Sequence, residues 1–95
     1  MIADFSIFPI GTGESLSASV AQAFRIIEQS GIAYEHHAMG TNLEGDWHEV
    51  MAVIKACRDR LFETEGRVSI SIKIDDRKSV SSGMTHKVRS AQDKM

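Results

Sequence analysis

The chain is predicted to fold as an α+β domain, a four-stranded antiparallel sheet with two helices packed on one face. Three features predict it. Val68, Ile70, Ile72 and Ile74 alternate with Arg67, Ser69, Ser71, Lys73 and Asp75, the two-residue period of a half-buried strand. Two other segments, beginning near Leu16 and Trp47, repeat apolar residues at helical spacing instead. Between and before them lie short extended stretches bounded by turn residues, so the elements run βαββαβ, the split βαβ or ferredoxin-like arrangement.

The first strand is expected over residues 2–8, with Ala3, Phe5 and Ile7 on one side and Asp4 and Ser6 on the other. Pro9 and Gly11-Thr12-Gly13 end it. Leu16, Val20, Ala23, Phe24 and Ile27 mark the apolar stripe of the first helix; Ser15 or Ser17 offers its N-cap and Gly31 its left-handed C-terminal residue. Residues 33–44 are too short and interrupted for a helix and read as two strands, Tyr34–His37 and Gly40–Glu44, joined by a tight turn at Ala38-Met39. Asp46 is placed to cap the second helix while Glu49 reaches back to it. Trp47, Val50, Met51, Ile54, Cys57 and Leu61 then form that helix's buried face. Residues 1–76 form the predicted ferredoxin-like domain. Residues 77–95 form a C-terminal tail with a short helix, too poor in apolar residues to hold itself together and expected to dock on a neighbouring subunit or else to fray.

Ninety-five residues, 42% hydrophobic and 25% charged, describe one ordinary globular domain. A chain this short buries only about 60 to 65% of its unfolded surface and often needs a second stabilising device. A lone cysteine, Cys57, forms no intrachain disulfide, so self-association is expected. Eleven basic residues against thirteen acidic ones advertise neither a nucleic acid nor an anionic membrane as partner. No apolar run is long enough to span a bilayer, and Met1–Ser6 lacks the basic and apolar regions of a secretory leader. The cytoplasm is the expected location.

The chemistry-bearing residues make no catalytic pattern. Gly11-Thr12-Gly13 stands between a strand and a helix, but Leu16 occupies the place of the third glycine of a dinucleotide fingerprint, which leaves a turn. His36 and His37 are adjacent on a strand and point to opposite faces; with His48 and His86 they read as surface histidines, and no metal is expected. Cys57 lies on an apolar stripe, the setting of a core thiol rather than a nucleophile. Glu44 ends a strand and is not needed for the cap. It is either an exposed strand end or an acceptor and proton partner for a heterocycle nitrogen.

Three stretches carry a resemblance: Ser6-Ile7-Phe8-Pro9-Ile10-Gly11, Ser30-Gly31-Ile32-Ala33-Tyr34, and above all Met39-Gly40-Thr41-Asn42-Leu43-Glu44-Gly45-Asp46-Trp47. With Lys73–Arg77 and Met84–Val88, they make the chain resemble the small thiamine-binding protein family over nearly its whole length. Ala38 stands where that family usually has proline, which relaxes the turn. The resemblance implies a ferredoxin-like two-layer sandwich, homotetramers built from paired sheets, no cofactor, and non-catalytic binding of thiamine or its hydroxymethylpyrimidine moiety in salvage, transport or buffering. A site of Ser6, Met39, Thr41, Glu44 and Trp47 follows as the expectation. Small hydroxyls and a carboxylate would meet the aminopyrimidine, with soft and aromatic walls beside the cation. Strand alternation puts Thr41 and Glu44 on opposite faces unless a bulge intervenes. The competing readings are an oligomeric structural or interaction protein with no small ligand, and an enzyme using Glu44 as its base.

Overall fold

The computed structural model describes residues 1–11 and 16–78. Its elements are β1 Ile2–Pro9, α1 Leu16–Gln29, β2 Ala33–His37, β3 Gly40–Glu44, α2 Trp47–Leu61 and β4 Val68–Asp75. The strands form one antiparallel sheet in the order β2-β3-β1-β4, so the predicted ferredoxin-like fold is the observed one. No helix among the described residues is long and apolar enough to cross a membrane. The expected tail helix, the Ser15 cap, Thr12-Gly13 and His86 lie outside the described residues.

Alternation along β1 builds the core. Ala3, Phe5, Ile7 and Pro9 are buried toward the helices while Asp4 and Phe8 are exposed on the open face. Leu43 of β3, Ala23 and Ile27 of α1, and Val50, Val53, Ile54, Cys57 and Leu61 of α2 close over them. Each of the large side chains, such as Phe5, Ile27, Leu43 and Leu61, contributes about 1.5–3 kcal/mol through burial. Val53 joins the core from a position the stripe reading passed over. Trp47, counted on the buried face, is the first residue of α2 and is 52% exposed.

The helix ends follow local chemistry. Asp46 accepts from the Glu49 N–H at 2.8 Å and Glu49 Oε1 accepts from the Asp46 N–H at 3.3 Å, a complete capping box. The Glu49 N–H holds the Asp46 carboxyl below its ordinary range. Gly31 takes φ 81° after α1, as a left-handed exit requires. Ser17 lies inside α1 and is therefore not its cap.

Two consequences of the topology position the site. The β1–β3 ladder runs only from Ile2–Glu44 to Phe5–Thr41, whereas the β1–β4 ladder continues to Pro9–Val68. The β2–β3 hairpin thus turns back short, and β1 extends past it. At that corner the stripe of α1 leaves the core: Ala23 and Ile27 are buried, Val20 and Phe24 half-buried, and Leu16 44% exposed.

Candidate functional site

Where the hairpin stops, a cleft of about 250 Å³ opens between β1, α1 and the β2–β3 turn. Its floor is Phe5 to Phe8 with Thr41. Leu16, Val20, Ala23 and Phe24 of α1 wall one side, and His37 to Gly40 form the opposite rim. The volume stands just below the roughly 300–1,000 Å³ of common ligand pockets, which suits one substituted heteroaromatic ring rather than a dinucleotide.

Backbone geometry supplies the first polar element. Gly45 N–H donates to the Met1 carbonyl at 3.2 Å, on the β3 side. Ile10 N–H donates to the Arg67 carbonyl at 2.9 Å, on the β4 side. An antiparallel strand alternates the direction of its amides, so odd residues of β1 direct N–H and C=O toward β3 and even ones toward β4. Ile7 is the first odd residue past the end of the β1–β3 ladder. Met39 lies across from it in register, but its N–H donates instead to His37 Nδ1 at 3.2 Å. The β1–β3 ladder ends at Phe5–Thr41, so among the described residues no residue of β3 pairs with Ile7, whose partner on the other side is Ile70 of β4, and the alternation turns the Ile7 N–H and C=O toward the cleft.

A chain of side chains supplies the second. Thr41, 2% exposed, lies 2.8 Å through Oγ1 from His36 Nδ1, and His36 Nε2 lies 3.1 Å from Glu28 Oε2. The Phe24 ring stacks on the imidazole at 4.0 Å between centroids, and Tyr34 leans on it at 5.0 Å. The carboxylate of α1, the imidazole of β2 and the hydroxyl of β3 are thereby one connected series ending in the cleft. On the other face His37 Nε2 meets Asp4 Oδ1 at 3.0 Å. The two histidines point oppositely, as alternation requires, but both are engaged rather than idle on the surface.

Of the five expected site residues, Ser6, Met39 and Thr41 border the cleft. Met39 is 83% exposed at the rim. Glu44 and Trp47 stand at the other end of the sheet. Glu44 pairs with Ile2 and Ala33, and three residues of extended strand put it about 10 Å from Thr41, on the opposite face. Ile7, Phe8, Phe24 and His36 were not among the expected residues. Phe24 was legible only as a stripe member and His36 only as a strand histidine, because the contact with Glu28 joins residues from different elements. Ile7 contributes its backbone, for which a sequence carries no side-chain signal.

Cys57 does not line the cleft. It is fully buried with Sγ 3.7 Å from the Ala23 carbonyl, and burial pushes its pKa up to about 11. No group of three His, Cys, Asp or Glu residues among the described residues is placed to hold a metal ion. A second, shallower groove between α1 and α2 is lined by Ile26, Ile32, Ala52 and Val53, with Glu49 already engaged in its cap. Its polar side chains, Ser30 and Glu49, are both engaged in helix-end hydrogen bonds, so the cleft is the better candidate despite the groove's larger span.

A family model described as thiamine-binding protein matches residues 3–92 of this chain. A UPF0045 protein of Mycobacterium bovis is 39% identical over 89 residues, which is 93% of this chain and 87% of that protein. The crystal structure of a hypothetical protein from Methanocaldococcus jannaschii superposes with a TM-score of 0.86 at 33% identity, over 96% of this chain and 94% of that one. A domain of unknown function from Bacillus cereus gives 0.83 at 31% identity, over 92% and 85%.

Proposed function

From the chain's membership of the thiamine-binding protein family, we propose that it binds an aminopyrimidine of the thiamine class, thiamine or its hydroxymethylpyrimidine moiety, in the cleft beside Ile7 and does not convert it. The observation that carries this reading is the Ile7 edge. A backbone N–H and C=O side by side complement an aminopyrimidine, whose ring nitrogen accepts and whose adjacent amine donates. Thr41 offers a further small hydroxyl, Phe8 and Phe24 supply aromatic surface, and Met39 at the rim is a soft neighbour for a cationic second ring. Ser6 completes the border. A binding role fits the one cysteine, which is sequestered in the core as a raised thiol. The role in the cell would be salvage, transport or buffering.

Homotetramer assembly belongs to the same proposal. Ile72 and Ile74 of the edge strand β4, each 38% exposed, are apolar surface that self-association would bury. The alternative, an assembly protein without a small ligand, rests on those same residues.

Amide NMR tests the site directly. Titrating ¹⁵N-labelled protein with hydroxymethylpyrimidine is expected to move the Ile7 and Thr41 amides most. Saturable shifts confined to the Glu44–Trp47 end would move the ligand there.

A further inference from the structure

We propose that His36, held by Glu28, sets the hydrogen-bond polarity of Thr41 and so makes the cleft select ligands that present an N–H over those that present a carbonyl. The inference rests on the aminopyrimidine reading and names how that site chooses among related rings. A carboxylate only accepts, so Glu28 Oε2 at 3.1 Å from Nε2 requires the Nε2–H tautomer of neutral His36. Nδ1 is then a lone pair, and at 2.8 Å it takes the proton of the Thr41 hydroxyl. The Phe24 ring, stacked at an interplanar angle of 22°, keeps the imidazole in that plane. With its one proton committed, Thr41 Oγ1 presents only lone pairs to the cleft. An amine meets an acceptor there; a ring carbonyl meets a second set of lone pairs and leaves both groups unsatisfied.

The groups facing the imidazole are the Glu28 carboxylate from α1, the Tyr34 phenol ring from its own strand and the Thr41 hydroxyl from β3. The Asp4 carboxylate of β1 engages His37 on the other face of the sheet.

The test compares binding of hydroxymethyl-aminopyrimidine with that of its oxo counterpart, the hydroxymethylpyrimidinone, to wild type, His36→Leu and Glu28→Gln at about pH 8. Wild type is expected to favour the amine about tenfold or more. His36→Leu frees the hydroxyl to turn either way, so its preference should fall at least about threefold below that of wild type, the remainder being the Ile7 edge's own choice of the amine. Glu28→Gln, at a half-exposed position that leaves the fold unchallenged, should lower the preference without abolishing binding. A full amine preference in a folded His36→Leu protein would overturn the inference while leaving the site intact. If wild type binds neither ring, the aminopyrimidine reading falls and the selectivity falls with it.

Discussion

Substituting Gly40 by alanine tests the packing that creates the cleft. A Cβ on Gly40 would lie 2.6 Å from the Phe5 carbonyl oxygen and 3.3 Å from both the Phe5 carbonyl carbon and Ser6 Cβ. Real Cβ atoms essentially never come within 3.0 Å of a neighbour, so the hairpin must retreat from β1 by at least the difference, 0.4 Å. The obstacle is backbone of a central strand, fixed by ladders on both sides, and it has no rotamer to give. Overpacking of this kind costs about 1–3 kcal/mol. For a domain of this size that lowers Tm by roughly 4–8 °C for each kcal/mol. The retreat falls on the Phe5–Thr41 pair at the cleft's edge, so ligand affinity should weaken several-fold alongside stability. Differential scanning fluorimetry and a binding titration of Gly40→Ala measure both. A Tm within about 2 °C of wild type, with affinity unchanged, would show that β1 and the hairpin are not in the contact described.

Two further outcomes concern groups away from the cleft. The Cys57 thiol, buried and raised to about 11, should react with an aromatic disulfide at pH 8 roughly a hundredfold more slowly in native than in urea-unfolded protein; equal rates would place it at the surface. Asp46, whose carboxyl is lowered first by the Glu49 N–H, stabilises the fold above the ordinary aspartate range, and that stabilisation fades as pH falls through its depressed folded value. Asp46→Ala should therefore melt below wild type at pH 7, with the gap narrowing toward pH 2; a gap independent of pH would mean that the carboxylate is not the capping group.

The strands and helices were legible because each carries its own period. Ala3, Phe5 and Ile7 alternate, Val50, Ile54, Cys57 and Leu61 repeat at helical spacing, and Asp46 with Glu49 marks a helix start three residues apart. All of these are local signals. The site was legible only in part, because it is made where local signals end. Thr41 and Ser6 are small hydroxyls on strands and belong to the motif that carries the family resemblance. The cleft between them exists because the β2–β3 hairpin is two residues too short to cover Ile7, which shows only once register is known. Glu28, His36 and Thr41 lie 8 and 5 residues apart on three elements, a spacing that no helix or strand period connects. Glu44 stands out in the sequence as a carboxylate the helix cap does not need, yet the two-residue period that places Thr41 inward turns Glu44 to the other face.

The most direct test is calorimetric titration with thiamine and with hydroxymethylpyrimidine of wild type, Thr41→Val and Glu44→Ala. Wild type should bind at least one of them with micromolar affinity or better, about 8 kcal/mol. Thr41→Val should weaken it roughly three- to tenfold, the net worth of one hydrogen bond, while Glu44→Ala leaves it unchanged. Binding lost with Glu44→Ala but kept with Thr41→Val would put the ligand at the far end of β3, and no heat from either compound in folded wild-type protein would contradict the thiamine-class reading itself.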